Sequence, residues 1–313
     1  MKYFVFFLSM VLFSFFSKAQ VAITDIDTVS TVDSSAILDL SSENRGFLPP
    51  RMNTTKIDSI DSPAEGLVVY NTTLGTLMYF NGSDWALMRN MDGESCGSVT
   101  YEGQTYETVI IGKQCWMAEN LNVGWVTVGS MDQTDNSMIE RYCYDNEVDS
   151  CAVYGGLYQW AEMVQYLNGA TNTTSWDPVP TGHVQGICPP GWHIPSDDEW
   201  KTMEGNADTQ YGVGDPEWDG TGSRGYDAGK RLKSTTRWVT NTGTNAFGFT
   251  ALPGGYRSTG GSFGTLGSYG YWWSSTEDGS SDAWTRYLYY INDDVLRYYY
   301  NKDNGFSVRC LKD

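Results

Sequence analysis

The chain has 313 residues, enough for one large domain or two smaller ones at about 150 residues each. Charged residues make up 19% and hydrophobic ones 40%, too apolar for disorder, and the 34 glycines lack collagen's period. Against 38 Asp and Glu stand only 20 Lys and Arg; the net charge of −18 repels phosphate backbones and anionic lipid, which argues against nucleic-acid partners and electrostatic membrane docking.

Residues 1–19 open with Lys2, run apolar from Tyr3 to Phe16, and close on Ser17-Lys18-Ala19 ahead of Gln20. The pattern predicts a secretory signal peptide, since a membrane span takes about 20 apolar residues. Cleavage removes Lys2 and Lys18, so −18 becomes −20, and no later segment is apolar enough to span. The mature chain is expected to be secreted or held at the cell surface.

Residues 20–92 lack cysteine and read as a β-rich stalk or leader segment. Gly66–Tyr70 and Thr76–Phe80, joined over Asn71–Gly75, form a predicted hairpin. One hairpin buries too little to stand alone, so this segment is expected to oligomerise, pair with a partner or lean on the next domain. Ser35–Leu40 followed by Gly46–Met52 resembles a leader common in exported Bacteroidota proteins and is similar to fibre-type stalks. The polar Met88–Ser95 stretch marks the boundary to a second domain at 93–313.

In that domain Val99–Tyr101 and Tyr106–Ile111 read as a hairpin around Glu102-Gly103. Tyr154, Leu157, Trp160, Ala161, Val164 and Leu167 recur at helical spacing, predicting an amphipathic helix over 152–167. Ser196 with Glu199 forms a capping box for a second helix carrying Trp200 and Met203, its acids on the positive helix end. The last third reads as strands at 247–252, 271–275, 284–291, 295–300 and 306–311, with a hairpin around Asn292–Asp294. The expected fold class is α+β: two helices against a twisted antiparallel sheet.

All six cysteines lie in the exported part, where an even count predicts disulfides, although 15 pairings exist. The pairing chosen is Cys96–Cys115, Cys143–Cys151 and Cys188–Cys310, the last closing a long loop with about 4–5 kcal/mol of chain-entropy stabilisation. Zinc is disfavoured: there is no Cys-x-x-Cys, and only His183 and His193 are present.

Ile111–Leu121, Tyr154–Trp160, Cys188–Trp200, Phe249–Arg257, Trp272–Glu277 and Gly305–Cys310 occur in order. Together they resemble the Fibrobacter succinogenes major paralogous domain (FISUMP) from about 93 to 313. The resemblance implies a surface or secreted module with an architecture similar to the C-type lectin fold and its formylglycine-generating-enzyme branch. It implies no established catalytic activity.

For hydrolysis, His183 lies in a Gly-flanked loop, and His193 is read as a half-buried residue hydrogen-bonded at the start of the second helix. With 38 acids, no carboxylate pair stands out for glycosidase chemistry. The formylglycine-generating enzymes work through reactive cysteines, whereas all six here have disulfide partners to hand. Calcium is the one ion entertained: Asn292 and Asp293 echo part of a lectin calcium strand, with hairpin-turn formation as the competing explanation. The acidic loop Asp215–Asp219 is a second place where an ion could sit or solvent could suffice.

Without the signal peptide, 12 Trp and 20 Tyr stand against 6 Phe. Amphipathic rings offer a stacking face and a hydrogen-bonding edge, which suits sugars and protein partners. Most Trp residues are assigned to the core; the loop candidates for ligand contact are Trp176, Tyr211, Trp218, Tyr256, Tyr269 and Tyr271. The expected function is non-catalytic recognition of a glycan or polysaccharide. Alternatives are a protein-binding assembly subunit, oligomerised through 20–92, and a formylglycine-generating-enzyme-like catalyst.

Overall fold

The computed structural model describes residues 21–24, 38–41, 46–73, 76–87, 93–240 and 243–313. The expected signal peptide at 1–19 and the 88–92 part of the expected boundary lie outside them. The chain divides into two compact units, Met1–Arg89 and Asn90–Asp313. Among the described residues no helix is long and apolar enough to cross a membrane.

The first unit carries a parallel pair, Val21–Thr24 with Leu38–Ser41, and a four-stranded sheet. In that sheet Arg51–Met52 pairs in parallel with Val68–Asn71, which forms the expected hairpin with Thr76–Phe80, and Trp85–Leu87 follows. Asn53 caps the short Thr54–Asp58 helix by accepting the Lys56 N–H at 3.0 Å. Among the described residues of this unit, Ile57, Val69 and Met78 form a buried cluster, with Met52, Ile60 and Trp85 packed against it.

The second unit mixes helices and sheets and is mostly β. A tight turn places Glu102 at φ +47° and Gly103 at φ +80°, the handedness that matches strand twist, and joins Ser98–Tyr101 to Gln104–Ile111. These strands open a five-stranded sheet that continues through Gln114–Met117 and Leu311–Lys312 to Trp192–His193. An eight-stranded sheet is built around the meander Tyr269–Glu277, Asp282–Tyr289 and Val295–Asn301. All three expected disulfides are formed, closing loops of 19, 8 and 122 residues, and mark a chain built for an oxidising environment.

Three sequence expectations give way. The strand at 306–311 is two short strands, Phe306–Ser307 in the eight-stranded sheet and Leu311–Lys312 in the five-stranded one, because the chain crosses from one sheet to the other between them. The single helix over 152–167 is three pieces: a helix Val148–Tyr154, a strand Leu157–Tyr158 and a turn of helix Trp160–Met163. Gly155 causes the break. Its φ is +80°, and an added Cβ would lie 2.6 Å from the Asn120 side chain. The apolar spacing arose from a strand followed by a helical turn, both facing the same core. The strand at 247–252 reduces to a bridge at Ala251, because Gly248 and Thr250 both take positive φ and Asn245 accepts the Thr250 N–H at 2.7 Å.

The predicted Ser196/Glu199 capping box starts the helix Asp197–Ala207, the longest among the described residues. It packs on one face of the meander with Trp200 and Met203, against Trp272, Leu288 and Val295. The same face buries charge. Arg286, 1% exposed, reaches Asp197 at 2.7 Å and also binds Glu204; Arg297 reaches Asp197 and Arg224 reaches Glu204, both at 2.8 Å. Burial alone would raise the Asp197 carboxyl, but hydrogen bonds and charge from Arg297 and Arg286 outweigh it and hold it well below the usual range. Arg286→Met should therefore leave two buried acids short of a partner and cost about 3–5 kcal/mol in urea unfolding. A loss below about 1 kcal/mol would show that Arg297 and Arg224 suffice by themselves.

Candidate functional site

Strand alternation sends odd-numbered residues of Tyr269–Glu277 and Asp282–Tyr289 to the sheet face opposite the charged one. Register sets Tyr269 against Tyr289 and Tyr271 against Tyr287. Those rings stack: Tyr269–Tyr289 at 4.2 Å, Tyr271–Tyr287 at 5.3 Å and Tyr269–Tyr271 at 5.7 Å between centroids. Tyr256 meets Tyr271 edge-on at 5.5 Å, and Phe306 stacks on Tyr271 at 4.9 Å. Tyr300 stands edge-on to Tyr287 at 6.0 Å. Tyr271 is buried, whereas Tyr256, Tyr269, Tyr287, Tyr289 and Tyr300 are half-buried and Tyr298 is exposed.

The phenols at the inner end of this face, Tyr271, Tyr287 and Tyr300, are held above their ordinary pKa. Burial raises Tyr271 and Tyr287 well above the usual phenol range, and neighbouring tyrosines add to it. A ladder of rings with hydroxyl edges can stack on an apolar ligand face and exchange hydrogen bonds at its rim.

Three of the six aromatic candidates, Tyr256, Tyr269 and Tyr271, thus come together. The other three do not join them. Trp218 is 1% exposed and is a core residue, its indole N–H bound to the Gly212 carbonyl at 2.9 Å, and Tyr211 packs half-buried against that core. Trp176 is likewise buried, edge-on to Trp160 at 4.9 Å, but it lines a groove of about 430 Å³ with Val179, Pro180, Ser196, Thr276 and Glu277. Tyr287, Tyr289 and Tyr300 were passed over among strand arms; their every-second-residue spacing was the available signal.

Asn292 and Asp293 serve the turn. Asp293 pairs with Lys230 at 3.1 Å, the Asn292 amide donates to Asp294, and the Asn292 carbonyl accepts from Lys233 at 2.7 Å. Two ammonium groups beside these oxygens oppose a calcium ion there. Of the 215–219 acids, Asp215 caps a turn at Pro216–Asp219, and Asp219 pairs with Lys201 at 3.0 Å.

His193 is 2% exposed, more deeply buried than expected, and bonds to Glu199 in the first turn of the second helix. Its Nε2 lies 3.0 Å from Glu199 Oε1 and its Nδ1 2.7 Å from Asp313 Oδ1. Burial would lower its pKa, but the bonds to Glu199 and Asp313 outweigh that and leave it raised. His183 stacks on it at 3.8 Å and faces the same two carboxylates. The histidines that looked separate in sequence are neighbours, and with Glu199 they are the group among the described residues whose donors could hold a metal.

One acid is displaced upward. Burial pushes Glu162 up to about 7, against hydrogen bonds from Glu140, Tyr166 and Gln165. That value suits a general acid, yet Glu162 is 0% exposed and does not line the groove beside Trp176. All six cysteines are in disulfides, so none is the reactive thiol of formylglycine-generating chemistry.

Comparison with protein-family models matches residues 109–312 to the Fibrobacter succinogenes major domain and residues 25–103 to a phage tail like trimerisation region. No curated protein and no solved structure matches the chain.

A folded pKa raised from 4.5 to about 7 means that Glu162 stabilises the fold below pH 4.5 and that this contribution is lost as pH rises through 7. Glu162→Gln keeps the acceptor for the Glu140 N–H and has nothing to ionise. Urea midpoints from pH 4.5 to 8 should fall less steeply in the variant, which gains up to roughly 3 kcal/mol over wild type at pH 8.

Proposed function

Starting from a chain that belongs to the Fibrobacter succinogenes major domain family, we propose that it is an exported, non-catalytic recognition protein that binds neutral glycan. The half-exposed tyrosine ladder carries this reading. Its rings are held side by side on a rigid sheet, and they offer faces for sugar C–H groups and hydroxyl edges for sugar oxygens. The net charge of −18 works against phosphorylated or sulfated polymers and leaves uncharged ones favoured. Export rests on the signal-peptide pattern at 1–19 and agrees with the three disulfides. The mixed helix-and-sheet build is compatible with a C-type-lectin-like architecture.

A specific observation favours an accompanying assembly role. The match to a trimerisation region, residues 25–103, lies over the segment whose single sequence-predicted hairpin called for a partner. Three copies of a weak sugar site would raise avidity by mass action, so the two readings reinforce each other.

The test is a glycan and polysaccharide screen of the full chain, with Ca²⁺ and again with chelator, beside a sedimentation measurement of native mass. Binding is expected to survive the chelator and to fall on the order of tenfold or more in Tyr287→Ala and Tyr298→Ala, with a trimeric mass. Silence across a broad array would sink the glycan reading, and a monomer would sink the assembly reading.

A further inference from the structure

His183, His193, Glu199 and Asp313 come from four places: a loop, the short Trp192–His193 strand, the first turn of the long helix and the end of the strand Leu311–Lys312. Backbone pairing holds them together. Ile194 donates to the Val184 carbonyl at 2.8 Å, Leu311 pairs with His193, and the Asp313 N–H donates to Gly191 at 3.1 Å. Glu199 is divided between two duties. Its Oε2 accepts from the Ser196 N–H and hydroxyl at 2.8 Å each, which aims Oε1 at both histidines, 3.0 Å from His193 Nε2 and 3.7 Å from His183 Nε2. On the far side of both rings stands Asp313 Oδ1, 2.7 Å from His193 Nδ1 and 3.4 Å from His183 Nδ1.

A neutral imidazole has one N–H and one lone pair. If each ring donates from Nδ1 to Asp313, both lone pairs face the Glu199 oxygen, an arrangement that repels unless something positive lies between them. A single proton on His193 Nε2 meets that contact but leaves the His183 Nε2 lone pair, 3.7 Å from the same oxygen, unmet, and two protons would put two cations on rings stacked 3.8 Å apart. One divalent ion shared by both Nε2 atoms and Oε1 satisfies all three donors at once. We infer that His183, His193 and Glu199 bind a divalent transition-metal ion, with Asp313 as the outer carboxylate that orients both imidazoles.

Two imidazole nitrogens and one carboxylate oxygen select the zinc, nickel and copper class over calcium or magnesium. The three donor atoms already lie within 4.8 Å of one another. Zn–N bonds of about 2.0–2.1 Å need a donor spacing near 3.3 Å, a closure that His183, 53% exposed, is free to make. Its exposure also leaves the remaining coordination position open to solvent. An Asp–His–metal chain of this kind fixes the tautomer and raises ligand basicity. This site is separate from the tyrosine face and does not depend on the glycan reading.

The experiment is calorimetric titration of the chelator-stripped full chain with ZnCl₂, with CaCl₂ as contrast, and Co²⁺ absorption as a report on coordination. One Zn²⁺ per chain is expected, with a raised thermal midpoint that EDTA reverses and no matching response to Ca²⁺. His183→Ala, at an exposed position, should keep the far-UV circular dichroism and lose affinity on the order of 100-fold. Asp313→Asn should lose about 10–100-fold. Absence of zinc binding, or binding that His183→Ala leaves unchanged, would overturn the assignment.

Discussion

The second unit depends on how one buried charge cluster is satisfied. Asp197 and Glu204 lie on the same side of one helix, seven residues or about two turns apart, and both reach Arg286 on the sheet beneath. Dehydrating such groups is expensive, and their mutual attraction repays it only with close geometry and further hydrogen bonds. Those are present: Arg297 brackets Asp197 from the neighbouring strand, and Arg224 reaches Glu204 from the strand beyond that one. The cluster therefore fixes the helix's rotation and axial position more sharply than Trp200 and Met203 could, because apolar contacts tolerate sliding and paired charges do not. Everything attached to the helix's first turn inherits that placement, including Glu199 and through it His193.

Most local elements were legible because their signals were local. Ser196 with Glu199 announced a helix start that the structure realises through both reciprocal bonds. Glu102-Gly103 announced a turn, and runs of aromatic and β-branched residues announced the meander. The cysteine pairing also followed from sequence, since two of the three bridges close short loops. The failure at 152–167 came from the opposite condition. Apolar residues there face a shared core from a strand and a helical turn, and the break lies in a glycine whose Cβ position Asn120 occupies. Asn120 is 35 residues away in sequence, so local spacing could not reveal the constraint.

Site legibility divided the same way. Tyr256, Tyr269 and Tyr271 were singled out by composition, but what unites them is register: a hairpin sets Tyr289 and Tyr287 opposite and turns isolated rings into a ladder. Trp218 shows the converse. A tryptophan among Gly, Asp and Glu reads as an exposed loop residue, yet its indole finds a carbonyl within the same loop, and the ring closes over the core. The His183–His193 pairing was hidden by a different cause. Counting histidines treats each as a separate ligand, whereas a β-bridge between Val184 and Ile194 and a C-terminal aspartate bring them to one point.

The meander thus has two faces of opposite character, and each accounts for the other. On the helix side the strands are sealed by charge pairs and tryptophans that permit no slippage. On the other side Tyr269, Tyr287 and Tyr289 rise from those immobilised strands and lean on one another, so their rotamers are already restricted before any ligand arrives. Association is opposed by the ordering of side chains at the contact, about 0.5–1.5 kcal/mol for each one immobilised. Rings fixed in advance avoid that loss, which is the property that the proposed glycan site draws on. The helix side thereby accounts for the rigidity of the outer rings on the other side, whose inner end is itself packed into a core around Tyr271, Trp273 and Phe306.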